Sequence, residues 1–205
     1  MMKRILMLQN APIRRILLGC LAVGVLGTSA CAGQSVTPID IHDPVISVES
    51  RRFVADAQDA VSIARSGYDY ADQELRAARQ QRARLMAGDA WDAVSAEVTD
   101  SFDTLLKARI RLAELRRDAA EARVDLAQEK LREVYAETAL RHDIEAYEMA
   151  PIRKTVDAAL EDLSEANARV AEQLLVVDRS SRAWWKSYRG LLSQNKHPNM
   201  FFTNF

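Results

Sequence analysis

Turn-forming residues are scarce, with 7 Gly and 5 Pro in 205 residues, about half their usual combined share. A sandwich, a barrel or an α/β fold needs a turn every dozen residues or so, and this chain cannot supply them. Cysteine (2) and histidine (3) are too few for a disulfide framework or a metal site built from several of each. Neither sign of charge dominates: 28 Lys+Arg stand against 29 Asp+Glu, a formal net charge of −1. That balance argues against a nucleic-acid binder held by a basic surface and against an acidic solvating tail. Aromatic residues are only 6% of the chain, so burial per residue is modest. What remains is an all-α chain of few, long helices.

Acidic residues are missing altogether from the first 39 positions, where Lys3, Arg4, Arg14 and Arg15 are the charged groups. An apolar run from Ile16 to Ala30 follows this basic stretch. A basic start, an apolar run of this length and small residues beyond it describe a secretory signal peptide over 1–30. The run is short for a membrane span, which needs about 20 apolar residues. Gly19, Gly24 and Gly27 weaken it further as a stable spanning helix.

The run closes on Leu26-Gly27-Thr28-Ser29-Ala30-Cys31, and here the chain resembles a bacterial lipoprotein precursor. The lipobox of that family is a large aliphatic residue, two small residues and Cys. Ser29, Ala30 and Cys31 match it, and Thr28 stands where Leu is usual. The resemblance implies a diacylglyceryl thioether on Cys31, cleavage before it, and attachment to a membrane through the lipid. Ala32, not Asp, follows Cys31, which in this family implies sorting to the outer membrane, facing the periplasm; the alternatives are an inner-membrane anchor or secretion. Leu17-Leu18-Gly19-Cys20 fits the local pattern too, but leaves almost no apolar run ahead of Cys20. Without residues 1–30 the formal charge falls from −1 to −5, which suits a soluble body.

Residues 31–46 read as the lipidated N-terminus and a flexible tether, because Pro38 and Pro44 break any helical period. Asp40, His42 and Asp43 lie close together there, yet three ligands on a flexible segment hold a metal weakly, so no metal site is expected.

From about 47 to 86 apolar residues alternate at three and four, the spacing of a supercoiling seam. Val54, Val61, Tyr68, Leu75 and Arg82 fall every seven residues, with Ala57, Ala64, Ala71, Ala78 and Leu85 between them. The small residues predict a neighbouring helix at close range, and Gly67 predicts a close contact beside Tyr68. Gly88 and Asp89 suit a turn and an N-cap. A second helix is predicted over about 90–149 with two stripes, one through Leu105, Leu112 and Ala119 and one through Leu106, Ala113 and Ala120. A face that wide must touch two neighbours. Pro151 ends or kinks it; a hairpin is favoured, because the double stripe requires a third helix, over about 152–194. The seam of this helix passes through Ile152, Ala159, Ala166 and Trp184.

The predicted fold is therefore an elongated antiparallel coiled coil or three-helix bundle over 47–195 with no β-sheet, followed by an aromatic tail over 196–205. Lengths of roughly 60, 90 and 65 Å follow from 1.5 Å per residue. A middle helix longer than its neighbours leaves apolar surface uncovered and predicts a homo-oligomer.

The chain carries no His-Glu-x-x-His, phosphate-cradling glycine loop or nucleophile elbow, and no enzyme or cofactor is expected. Charged residues fall on outward positions, as in Glu137 and Arg141 four apart. The C-terminal stretch stands out: Trp184, Trp185 and Tyr188 are interleaved with Lys186 and Arg189, and Phe201, Phe202 and Phe205 follow. The seam places Trp184 inside and Trp185 at its edge. Trp185, Lys186, Arg189, Phe201, Phe202 and Phe205 are thus the candidate contact for an envelope protein, aromatic and basic groups being frequent in hot spots. The expected function is a non-catalytic helical scaffold or spacer in the cell envelope. The alternative is a chaperone-like or secretion or efflux accessory that binds through its helical tips and this segment.

Overall fold

The computed structural model describes residues 35–87 and 96–194. Cys20, Cys31, the Gly88-Asp89 turn and the Phe201–Phe205 tail lie outside them. The described chain is all-α, with three helices and no strand: α1 (Val48–Met86), α2 (Ala96–Arg141) and α3 (Met149–Ser193). Their 39, 46 and 45 residues correspond to about 58, 69 and 67 Å. Over the described residues α2 is one residue longer than α3 and seven longer than α1.

Both neighbours of α2 run antiparallel to it. Gln58 reaches Tyr135 at 2.9 Å while Arg82 reaches Asp103 at 2.8 Å. On the other side Thr155 meets Glu129 at 2.8 Å and Gln173 donates to the Ala108 carbonyl at 3.0 Å. Contacts along the helices join α1 to α2 and α2 to α3, with almost none between α1 and α3. The double stripe thus does what its width requires. Glu137, expected beside Arg141, is bound across the interface to Arg153 of α3 at 3.0 Å.

Buried residues form a cluster near each end of the helices. Phe102, Leu105, Leu106, Trp184 and Tyr188 form one cluster, with Leu85 and Val177 against it. Ala136, Ala139, Tyr147 and Ile152 form the other. Between them the buried seam mixes alanines, including Ala64, Ala71, Ala119 and Ala166, with Val61, Leu75, Leu112, Leu115 and Leu126. Gly67 makes no close contact; a Cβ placed there meets nothing within 4 Å.

The second helix stops eight residues before the predicted end. Asp143 takes φ 52°, the Ile144 N–H bonds the Ala139 carbonyl at 2.9 Å, and the Asp143 N–H bonds that of Leu140 at 3.4 Å. This is the Schellman termination, with Asp where glycine is usual. Ile144 and Tyr147, expected on the helix, fall in the turn. Pro151 then sits in the first turn of α3, where its missing N–H has no intrahelical partner to lose. The hairpin is the arrangement found, without a proline kink.

Residues 35–47 are docked and do not hang free as a tether. Val36 and Ile39 pack on the Tyr147–Ile152 cluster, and the Thr37 N–H donates to the Tyr147 hydroxyl at 3.0 Å. That hydroxyl also bonds the Glu145 carboxylate. Asp40 and Asp43 accept from the N–H groups of His42 and Val45, both at 2.9 Å, closing two turns. Arg51 then clamps the Asp43 and Ile46 carbonyls at 2.9 and 3.1 Å. Ile46 is buried, and Ser47 caps α1 by accepting from the Ser50 N–H at 3.2 Å.

Candidate functional site

The site begins with a single helical step in α3. Trp184 lies on the seam and is 1% exposed; Trp185, rotated by about 100°, is 37% exposed. Trp184 packs on Phe102 at 5.4 Å between ring centroids and stacks on Tyr188 at 5.5 Å and 29°. Trp185 lies 4.8 Å from Trp184 and meets Tyr188 edge-on at 5.7 Å. Its second face is left to solvent. Lys186 and Arg189 are exposed beside it, and neither forms an ion pair among the described residues. Arg182, by contrast, is paired with Asp178 at 2.7 Å. The patch combines one half-open aromatic with two unneutralised cations on a rigid helix. It can stack on and bond an acidic or aromatic surface.

The predicted contact is thus divided. Trp185, Lys186 and Arg189 share one exposed face, and the three Phe residues lie outside the described chain. One feature was not legible: the Trp184 Nε1 is buried without a hydrogen-bond partner among the described residues, which costs free energy wherever a donor is desolvated.

A second constellation was not anticipated at all. His142 Nε2 lies 3.0 Å from the Ser50 hydroxyl, which is 3.1 Å from that of Ser47. Ser50 is only 1% exposed. The arrangement cross-links the hairpin to the first turn of α1. The early Asp40, His42 and Asp43 group is spent on turns, and among the described residues no cluster of His, Cys, Asp or Glu is placed to hold a metal.

Electrostatics along the interface are set by ion pairs. Burial disfavours charge on Asp103, but hydrogen bonds and attraction from Lys107 and Arg82 outweigh it and hold the carboxyl below its ordinary value. The Arg79 hydrogen bond does the same for Glu114, against burial and with help from Arg111. No described helix is long and apolar enough to cross a membrane. Comparison with protein-family models, curated proteins and solved structures finds no match in any of the three.

Proposed function

We propose that the protein is a lipid-anchored envelope lipoprotein whose helical body acts as a non-catalytic spacer, held to the outer membrane and facing the periplasm. The observation that carries this reading is the docking of the N-terminal segment on the α2–α3 hairpin. Cys31 precedes docked Val36 by five residues, a reach of at most about 18 Å. A lipid on Cys31 therefore holds the hairpin end near the bilayer. The Trp185 patch, near the far end of α3, stands roughly 55 Å further out, from 1.5 Å per residue between Met149 and Trp185. A spacer needs a fixed base and a remote contact surface, and this arrangement supplies both.

Anchoring is tested by metabolic labelling with a fatty-acid analogue. Wild type and Cys20→Ala incorporate the label and fractionate with the outer membrane; Cys31→Ala does neither. Label retained in Cys31→Ala contradicts the assignment.

A second reading, an accessory module that grips one envelope protein, is favoured by the half-open Trp185 beside Lys186 and Arg189, two cations with no ion pair among the described residues. Co-purification of a stoichiometric partner that is lost in Trp185→Ala would place this reading first.

A further inference from the structure

Exposed apolar side chains gather at the hairpin end of the body. Val45 is 61% exposed, Val48 81%, Leu140 37% and Ile144 47%. They belong to two stretches that the fold brings together, the entry to α1 and the turn that ends α2. The Ser47 N–H donates to His142 Nε2 at 3.5 Å, and the same nitrogen lies 3.0 Å from the Ser50 hydroxyl. Val48 follows Ser47 directly and Ile144 is two residues from His142, so this bonded contact sets the two stretches side by side. Leu140 and Ile144 also line one shallow hollow of about 210 Å³.

Each of these side chains stands at the end of a helix or beyond it. Val48 is the first residue of α1, and a helical Cα–Cβ bond tilts towards the N-terminus, so its side chain leans out past the helix end. Val45 precedes the helix, and Ile144 follows the left-handed Asp143 that closes α2. Several exposed apolar side chains standing together mark a contact surface. Charge does not draw this end to an anionic surface. Over 44–52 and 140–148, exposed Glu49, Asp143, Glu145 and Glu148 outnumber exposed Arg52 and Arg141, and Arg51 is spent on the Asp43 and Ile46 carbonyls. Adsorption through a basic cluster is not what this end offers; its means of contact is apolar.

We propose that this tip enters the interfacial layer of the bilayer that holds the Cys31 lipid, with Val45, Val48 and Ile144 as the side chains in contact with the acyl chains. The proposal rests on the anchoring reading above. Cys31 lies within about 18 Å of docked Val36, and Val36 packs on the Tyr147–Ile152 cluster at this same end. An end held that close to lipid has the bilayer as its nearest apolar phase. Apolar faces of interfacial helices lie about 5–10 Å deep at the headgroup and acyl boundary, and the tip is expected at that depth. Lipid and tip then act together, and the body is gripped at its end instead of swinging on a tether.

The test uses the full lipidated chain in phosphatidylcholine vesicles, with a polarity-sensitive dye on a cysteine introduced as Val48→Cys, Ile144→Cys or, for comparison, Tyr70→Cys. Tyr70 is 71% exposed and stands roughly 33 Å along α1 from Val48 at 1.5 Å per residue. Mass spectrometry of the same sample reads the lipid on Cys31. The dyes at Val48 and Ile144 are expected to shift to the blue and to be quenched by a lipid-borne spin label, and the dye at Tyr70 to do neither. Exchanging part of the phosphatidylcholine for phosphatidylglycerol does not strengthen the quenching. Val45→Asp with Val48→Asp weakens the quenching of the dye at Ile144 at unchanged far-UV circular dichroism, since both valines are exposed and an acid in the first turn suits the helix dipole. A lipidated chain whose dyes at Val48 and Ile144 stay unquenched overturns the proposal and leaves the anchor standing; a chain without lipid on Cys31 overturns both. Quenching that is equal at Tyr70, that requires phosphatidylglycerol, or that is untouched by the two aspartates also overturns it. A blue shift seen only when another envelope protein is added gives the tip to that protein and does the same.

Discussion

Trp184 and Trp185 are adjacent in the chain, 4.8 Å apart between ring centroids, and lie on opposite sides of the boundary between core and solvent. The first closes the cluster with Phe102 and Tyr188; the second lays one face on that cluster and offers the other to solvent.

Their substitutions therefore separate. Trp184→Ala is expected to cost about 3–5 kcal/mol, the range for a buried aromatic, and Trp185→Ala much less. Trp184→Phe recovers part of the loss, because it also removes a buried donor without a partner. Urea denaturation measures all three, and equal destabilisation by the two alanine variants contradicts the burial assignment.

The docked segment is held by few bonds. Tyr147→Phe removes the acceptor of the Thr37 N–H, a loss of about 1 kcal/mol, and loosens residues 35–47 before it affects the helices. Limited proteolysis is expected to cut this segment faster in the variant at unchanged helicity. Identical cutting rates would show that the Val36 and Ile39 contacts alone hold it.

Asp143 occupies a left-handed conformation that suits glycine better. Asp143→Gly should raise stability by up to about 1 kcal/mol, and Asp143→Val, β-branched at φ 52°, should lower it. The denaturation midpoints decide this; a destabilised Gly variant argues that the aspartate side chain holds the turn.

Acid sensitivity follows from the two depressed carboxyls. Their ordinary values are 3.8 for Asp103 and 4.5 for Glu114, and both lie lower in the folded chain. Below these ordinary values the unfolded state binds more protons than the folded one, so stability falls as pH drops. The contribution is complete above about 4.5 and is lost as pH passes down through the folded values. Thermal melts from pH 7 to 2.5 should lose less with Asp103→Asn and Glu114→Gln together than in wild type. An unchanged acid slope in that double variant contradicts the assignment.

The seam residues were legible because a helix repeats its buried face. Val54, Val61, Leu75, Leu112, Ile152 and Trp184 all fall in the core as their spacing requires. The end of α2 was not, since a left-handed position usually signals itself by Gly or Asn and here is filled by Asp143. Docking of Val36 and Ile39 was hidden for a different reason. Two isolated apolar residues on either side of Pro38 have no period, and their partner Tyr147 is more than a hundred positions away. The patch was half legible, because periodicity places Trp185 at the edge and is silent on whether Lys186 and Arg189 find ion partners.

The central claim is that the hairpin end is held at the bilayer with the Trp185 end remote from it. Energy transfer from a donor on the protein to an acceptor dye in the lipid tests this most directly, using the full lipidated chain in vesicles. A donor at Ile144→Cys, in the turn before α3, is predicted to transfer strongly and one at Gly190→Cys weakly, since Gly190 lies roughly 60 Å along α3 from Met149 at 1.5 Å per residue. Equal transfer from both positions, or stronger transfer from position 190, contradicts the account.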